Sequence, residues 1–406
     1  MRVSKNAYRF FQLAGVVLFT GLVAITQTAS QPSTSSLLQD AAKEISASKL
    51  DHAEQDLQSI LHSSPKEYRA LDLLGVIRVL QHQETNAEQL FLHAVQTKPD
   101  FAPGHAHLGL LYLQLGNTEN AVRELQEALR LDPARTDAAR ALVHILQDQA
   151  QKASEAGDWN SALSLLRDAR KYASDNPDIL YEFGVAALRL SFDEDAIEAF
   201  LQTLKLRKND ALAIYNLGRA FMELSKFEEA RQQFAQYVEI RPNDSSGHCA
   251  LGMTLAALEH SQDARTQFER SIALAPEQTE SYYGLGLLEL EAKNYDSATS
   301  NLRQVLDHDP KNALALTALG RLEFEQKHYP EALSLLQQAI TADNALREAH
   351  YYLGLSFSRM GRKQESDKQL EIAMQLEHEE VQHRRTVQRM LDPGDLKPNQ
   401  VDSGER

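Results

Sequence analysis

The 406-residue chain has one cysteine, one tryptophan and a deficit of basic residues. A disulfide and a thiolate metal cluster each need more than one thiol, so Cys249 alone excludes both within the chain. Lys and Arg total 42 against 57 Asp and Glu, which gives a formal net charge of −15. A general nucleic-acid binder needs a basic surface for phosphate, so we expect no nucleic-acid partner.

The chain also lacks the spaced motifs of common enzyme sites. His378 and Glu379 are followed by His383, one residue too far along a helix for both imidazoles to face one zinc ion. Gly284 and Gly286 lack the third glycine of a dinucleotide-binding loop. Neither a phosphate-binding loop nor a G-x-S-x-G nucleophile motif is present. We therefore expect no enzymatic activity, no cofactor and no metal site.

Residues 1–30 differ in character from the rest of the chain. Arg2, Lys5 and Arg9 precede an apolar run at residues 10–25, and small polar residues follow that run. This order is typical of a secretory signal peptide, which predicts a periplasmic or secreted protein. The run is close to the roughly 20 residues that cross a bilayer, so an uncleaved membrane anchor is the alternative.

What the sequence has in abundance is a 34-residue period. Glycines recur at that interval, alanines follow twelve residues after a glycine, and prolines follow twenty-four after. The glycines are Gly75, Gly109, Gly184, Gly218, Gly252, Gly286, Gly320 and Gly354. Each unit contains two runs of apolar residues at helical spacing and then the proline, which predicts two helices and a turn. A glycine without a Cβ lets the second helix approach the first closely at its alanine.

This pattern resembles the tetratricopeptide repeat, a 34-residue helix-turn-helix with Leu-Gly, Ala-x3-Phe and Pro at fixed positions. In the copy at residues 211–244 these are Leu217-Gly218, Ala230, Phe234 and Pro242. The resemblance implies an all-α fold, a right-handed α-solenoid of about ten repeats in which each hairpin packs only on its neighbours.

The repeats are predicted to begin near residues 34, 68, 102, 136, 177, 211, 245, 279, 313 and 347, after a linker at 31–36. The fourth carries seven extra residues. Since seven residues make nearly two helical turns, the insertion is expected to lengthen its first helix without rotating the apolar face. The array is expected to end near residue 380, followed by a C-terminal capping helix at 381–391 and a disordered tail at 392–406.

The resemblance also implies where a partner binds. In this family the first helices line a concave surface, and the side chains that point into it lie three residues before, and one and four after, the glycine. That selects a row of tyrosines with arginines beside it and one position farther on: Tyr181, Tyr215, Tyr283 and Tyr351, with Arg219, Arg321, Arg189 and Arg359. Tyrosine and arginine are enriched at binding hot spots, so these eight residues are the predicted site. Tyrosine is also common at this place in the repeat, which makes a packing role the alternative interpretation.

Two known uses of the family are not indicated by the sequence. Chaperone adaptors have a clamp asparagine one residue after the glycine, where this chain has other residues such as Arg219. The O-GlcNAc transferase array has an asparagine two before each glycine, and this chain offers Asn216 alone.

The leading hypothesis is a non-enzymatic scaffold that binds a protein or an extended peptide segment in the concave groove, outside the cytoplasm. The alternative is a membrane-anchored accessory or assembly subunit of an envelope enzyme or of an export complex, for polysaccharide or for secretion.

Overall fold

The computed structural model describes residues 33–391, with side chains through Glu379, and every element in this range is an α-helix. The predicted signal or anchor at 1–30 and the predicted tail at 392–406 lie outside the described residues. The first helix begins at Thr34, inside the predicted linker at 31–36.

The helices of the described range are α1 (Thr34–Ser46), α2 (Leu50–Ser63), α3 (Tyr68–Leu80), α4 (Glu84–Thr97), α5 (Ala102–Gln114), α6 (Thr118–Leu131), α7 (Thr136–Glu155), α8 (Trp159–Arg170), α9 (Pro177–Arg189), α10 (Asp193–Leu206), α11 (Ala211–Glu223), α12 (Phe227–Ile240), α13 (Ser245–Ala257), α14 (Ser261–Leu274), α15 (Thr279–Glu291), α16 (Tyr295–His308), α17 (Ala313–Glu325), α18 (Tyr329–Ala342), α19 (Arg347–Arg359) and α20 (Lys363–Leu391). Odd-numbered helices are the first helices of the repeats and even-numbered helices are the second.

Within a repeat the chain turns through one residue with positive φ. At three turns this residue is a glycine, Gly116, Gly157 or Gly361, and glycine adopts the conformation without steric cost. At the others it is Ser, His, Glu or Lys, with φ between 55° and 67°, at a cost of about 1 to 2 kcal/mol each. The cap bonds offset that cost. The Lys226 N–H, for example, donates to the Phe221 carbonyl at 2.8 Å, the six-to-one bond of a Schellman cap.

The periodic glycines are required by close packing between the two helices of a repeat. A Cβ on Gly218 would lie 2.9 Å from Phe234 Cε1, closer than carbon atoms approach. Phe234 is 1% exposed and Ala230 is fully buried. The same pairing recurs between Gly75 and Phe91 and, with leucine, between Gly320 and Leu336. The sequence period therefore reports one packing contact repeated along the chain.

The fourth repeat has a longer first helix. α7 contains 20 residues, whereas α5 and α9 contain 13 each. Its buried residues include Ala138, Leu142 and Ala150, so the added turns keep their apolar side chains in the core. Gly157, at φ 77°, then turns the chain into α8.

The last repeat ends in a helix of 29 residues, α20. Residues 381–391 continue this helix without a break from Lys363, so the segment predicted as a capping helix is the distal part of the second helix. Ser366, which replaces the usual alanine, is 4% exposed.

Ion pairs join successive repeats at one equivalent place, with opposite order of charge. Arg78 on α3 donates to Glu54 on α2 at 2.6 Å. Arg265 on α14 donates to Glu289 on α15, whose side chain is 6% exposed and also accepts from Asn294 at 2.8 Å. In both cases the residue after the second-helix alanine meets the residue three after the next glycine, so a charge pair marks the interface between repeats.

The chain divides into two compact units, the first through Phe183 and the second from Gly184. In each unit the helices pack in consecutive pairs, and each pair packs on the next. The predicted fold class, an all-α solenoid of helix-turn-helix repeats, is confirmed. Between residues 33 and 391, none of the helices combines the length and apolar composition needed to cross a membrane.

Candidate functional site

The first helices of neighbouring repeats contact one another within each unit. In unit 1 such contacts join α1 with α3, α3 with α5 and α5 with α7; in unit 2 they join α13 with α15, α15 with α17 and α17 with α19. Because first helices lie side by side, their solvent-facing sides form one surface in each unit, here called the inner face.

Burial identifies the positions that make up this face in unit 2. From α11 to α19 the side chains six residues before, one after and five after the glycine are all exposed or half-buried. Since six before and one after are seven residues apart, they share one side of the helix. These side chains, here called the inner stripe, are Leu212, Arg219, Glu223, Ser246, Met253, Ala257, Glu280, Leu287, Glu291, Leu314, Arg321, Glu325, Glu348, Leu355 and Arg359.

Two tyrosines of the predicted row are largely packing residues. The ring of Tyr215 lies 5.5 Å from that of Phe234 and 5.0 Å from that of Tyr237, centroid to centroid. Tyr237 in turn donates its hydroxyl to Asp244 at 2.6 Å. Tyr283 packs against a buried cluster that contains Leu302. Burial raises the pKa of both Tyr215 and Tyr283, which fits rings held partly inside the repeat.

Tyr351 and Arg359, on the last first helix, are solvent-accessible. Tyr351 is 44% exposed and packs edge-on against Tyr352, with centroids 5.4 Å apart. Tyr352 also contacts Phe324 on the preceding first helix at 5.6 Å. Arg359 is exposed at the end of α19. The end of unit 2 therefore presents an aromatic surface.

Arg321 is bound by carboxylates of the protein itself. Its Nε donates to Glu325 at 3.0 Å, its Nη1 lies 3.7 Å from a Glu348 oxygen, and its guanidinium is 5.8 Å from the Tyr352 ring centroid. Two glutamates on one arginine leave a net negative cluster. Arg321 therefore positions Glu325 and Glu348 at the surface.

Arg219 has a different environment from Arg321. It donates to the Asn216 amide oxygen at 3.2 Å, an uncharged group on the same helix. Its side chain is half-buried beside Tyr215. The donors of this guanidinium that do not bond to Asn216 are directed to a position where a carbonyl or carboxylate could bind.

Tyr181 and Arg189 lie on the two sides of the boundary between the units. Tyr181 is half-buried on the part of α9 that belongs to unit 1, and Arg189 is exposed at the end of the same helix. Thus Tyr215 lies with Arg219, Tyr283 with Arg321, and Tyr351 with Tyr352, whereas the structure assigns Tyr181 to the other unit.

Three exposed apolar side chains of the inner stripe are absent from the predicted site. Leu212 is 56% exposed, Leu314 is 49% exposed and Met253 is 36% exposed. A signal for the leucines was available, because both lie six residues before a glycine and therefore share a helix side with Arg219 and Arg321.

The inner face of unit 1 is occupied by polar pairs. His107 Nδ1 lies 2.8 Å from Asp72 Oδ1, and Asp72 is 3% exposed. Gln147 donates to Glu182 at 2.8 Å, and burial raises the pKa of that carboxyl. These side chains join first helices of successive repeats, so they stabilise the stack.

Three histidines share one structural role, four residues before the glycine. His105 Nδ1 lies 2.8 Å from Glu124 and its Nε2 lies 2.9 Å from the Pro99 carbonyl. His248 makes the same two contacts with Gln267 and Pro242, and His350 makes them with Gln369 and Asn344. Each ring ties a first helix to its second helix and to the preceding turn. In the described range no group of three or more His, Cys, Asp or Glu side chains is arranged to hold a metal ion.

No curated protein matches this sequence. Three family models, each described as a tetratricopeptide repeat, match residues 94–231, 249–300 and 289–355, which together cover more than half of the chain.

Solved structures show the same fold at low identity. A tetratricopeptide repeat protein from Parabacteroides merdae ATCC 43184 is 16% identical, with a TM-score of 0.52 over 58% of this chain and 93% of that one. MamA from Desulfovibrio magneticus RS-1 is 20% identical, with a TM-score of 0.40 over 42% of this chain and 97% of that one. YrrB, described as a TPR protein with an unusual peptide-binding site, is 21% identical, with a TM-score of 0.36 over 45% of this chain and 95% of that one.

Proposed function

This chain belongs to the tetratricopeptide-repeat proteins, and we propose that it is a scaffold that binds a protein or an extended peptide segment on the inner face of unit 2. One observation carries the choice of surface. Leu212, Met253, Leu314 and Tyr351 are exposed on the same face of successive first helices, and together they form an apolar strip. Exposed apolar side chains that are clustered in this way mark interaction surfaces, whereas scattered ones are ordinary.

The half-buried tyrosines contribute by shaping this surface. Tyr215 and Tyr283 pack under it, so their replacement would disturb the repeat as well as any contact with a partner. A test of the function therefore uses exposed positions, where a substitution leaves the core unchanged.

Site-specific cross-linking distinguishes the inner face from the outer one. A photo-crosslinking amino acid replaces Leu212 or Leu314 on the inner stripe, and in a matched control it replaces Leu201, which is 44% exposed on the second helix α10. In the native cells we expect one discrete cross-linked protein from the first two positions and none from Leu201. Equal cross-linking at all three positions, or cross-linking at Leu201 alone, would contradict the proposal.

The proposal includes a location outside the cytoplasm, which the basic and apolar residues at 1–25 support. Protease added to intact cells after permeabilisation of the outer barrier should degrade the protein, and its amino terminus should lie near residue 30. An intact Met1 in the membrane fraction would favour the anchored accessory subunit of an envelope enzyme or export complex. A full-length protein in the cytoplasm would exclude both locations.

A further inference from the structure

The inner stripe of unit 2 has an apolar centre and a predominantly acidic margin. Its apolar members are centred on Leu212, Met253, Leu287, Leu314 and Leu355. Around them lie five glutamates against three arginines, namely Glu223, Glu280, Glu291, Glu325 and Glu348 against Arg219, Arg321 and Arg359. Arg321 is already paired with two of those glutamates. The net charge that a ligand meets across α11 to α17 is therefore negative.

One edge of the stripe carries a carboxylate pair with uncompensated charge. Asp193, at the start of α10, has an Oδ1 that is buried and has no hydrogen-bond partner among the described residues. Burial and the Glu223 carboxylate raise the pKa of Asp193 to about 6. Like charges held close together are unfavourable, and a cation placed beside Glu223 would relieve their repulsion. This local electrostatic environment favours a basic ligand group over an acidic one.

The spacing of the apolar side chains fits an extended ligand. Packed helices lie about 8 to 10 Å apart. A polyproline II segment rises about 3.1 Å per residue and returns to the same side every third residue, a step of about 9 Å. An extended segment with an apolar residue at every third position therefore presents one apolar side chain to each first helix.

We propose that unit 2 binds an extended segment of a partner protein in which apolar residues recur at every third position and are flanked by Lys or Arg. The apolar side chains lie on Leu212, Met253 and Leu314, and the basic groups lie toward Glu223 and Glu291. Arg219, whose donors are not all used by Asn216, donates to a main-chain carbonyl of the segment. This inference rests on the proposed function, since it names the chemistry of the ligand for the same surface.

Binding of synthetic peptides to the whole protein tests the inference. Crossing five first helices takes about 12 residues. Four fluorescent peptides of that length are compared. The first has leucine every third residue with lysine between, the second replaces each lysine by glutamate, the third has the same composition as the first with leucine every second residue, and the fourth has the leucines at helical spacing. We expect the first to bind at least about tenfold more tightly than each of the others, and to weaken as salt is added. Equal or tighter binding of the glutamate peptide, or of the helical one, would overturn the inference.

Variants locate the binding to the stripe. Leu212→Ser with Leu314→Ser should weaken binding of the lysine peptide at least about tenfold, whereas Leu201→Ser on α10 should not change it. Glu223→Lys with Glu291→Lys should abolish the preference for lysine over glutamate. Its matched control is Glu229→Lys with Glu239→Lys, which adds the same charge on the second helix α12, at exposed positions off the stripe, and should keep the preference. A loss of preference in the control pair would show a general charge effect and would overturn the assignment.

The outcomes distinguish this inference from the proposed function. If cross-linking from Leu212 captures a protein and the lysine peptide does not bind, the surface is a docking site and the ligand chemistry is wrong. If neither occurs, both proposals fail.

Discussion

The inner faces of the two units differ in how their polar and apolar groups are used. In unit 1, side chains at this face bond to one another across repeats, as His107 does with Asp72 and Gln147 does with Glu182. In unit 2 the equivalent face leaves Leu212 and Leu314 about half exposed. One repeat framework can therefore carry a face that is saturated by its own contacts and a face that is open to another chain.

The comparison is broken most strongly by removing one core phenylalanine from each unit. Phe91→Ala in unit 1 and Phe234→Ala in unit 2 each delete a fully or almost fully buried ring, at an expected cost of about 3 to 5 kcal/mol of unfolding free energy. Since repeats interact only with their neighbours, the damage should be local. Hydrogen exchange by mass spectrometry should show lost protection around the substituted repeat, and cross-linking from Leu314 should survive Phe91→Ala. Uniform loss of protection along the whole chain in both variants would show that the units do not behave independently.

A second test contrasts the inner faces directly. His107→Ala leaves the buried Asp72 without its imidazole partner, and the unfolding free energy should fall by about 2 kcal/mol. Leu314→Ser removes an exposed side chain and should change the unfolding free energy by less than about 0.5 kcal/mol. Denaturant titration measures both. A larger loss in Leu314→Ser than in His107→Ala would show that the unit 2 face is structural.

The interface ion pairs allow a charge exchange to be tested. Glu54→Arg or Arg78→Glu alone should destabilise unit 1 by about 1.5 kcal/mol, because like charges then meet at a partly buried interface. The double variant reproduces the charge order of Arg265 and Glu289 and should recover most of the loss. A double-mutant cycle in thermal unfolding gives the coupling energy, and a coupling near zero would contradict an ionic contact at this interface.

The smallest expected effect is a dependence on pH that is specific to unit 1. The Glu124 carboxylate raises the pKa of His105, and His105 lowers the pKa of Glu124. Both groups that face the His105 ring nitrogens are acceptors, so only the imidazolium donates to both. His105 thus contributes stability that is complete below its unfolded pKa of about 6.5 and is lost as the pH rises through its higher folded pKa. Glu124 contributes stability that is present above its unfolded pKa of about 4.3 and is lost as the pH falls through its lower folded pKa.

The contribution of the pair, about 1 kcal/mol, should therefore be largest between about pH 4.3 and 6.5. Glu124→Gln converts the site to the arrangement found at His248 with Gln267, where an amide can donate to a neutral ring. The stability difference between the wild type and Glu124→Gln should disappear at pH 8 in denaturant titrations. A difference that is constant from pH 5 to pH 8 would contradict a charged His105.

Much of the fold was predictable because the packing contact and the sequence period are the same thing. Gly218 must lack a Cβ because Phe234 lies against it, and that requirement recurs every 34 residues. The turns within repeats were less visible, since Ser225 and Lys327 adopt positive φ where glycine is the usual signal. There the hairpin geometry overrides the local preference of the residue.

The predicted binding residues were harder to place, because a helix position does not specify how deeply its side chain is buried. Tyr215 and Tyr351 occupy the same position in their repeats, yet Tyr215 packs on Phe234 and Tyr237, and Tyr351 is 44% exposed on the last first helix. Arg219 and Arg321 are likewise equivalent in sequence, and only Arg321 lies between Glu325 and Glu348.

The sequence by itself determined the number and order of the hairpins and the contacts inside each one, because those contacts join residues a fixed distance apart in the chain. Only the tertiary structure decided which side chains of the first helices are covered and which are open to solvent. That outcome depends on neighbours contributed by the adjacent repeats, whose side chains vary from one repeat to the next while the period stays constant.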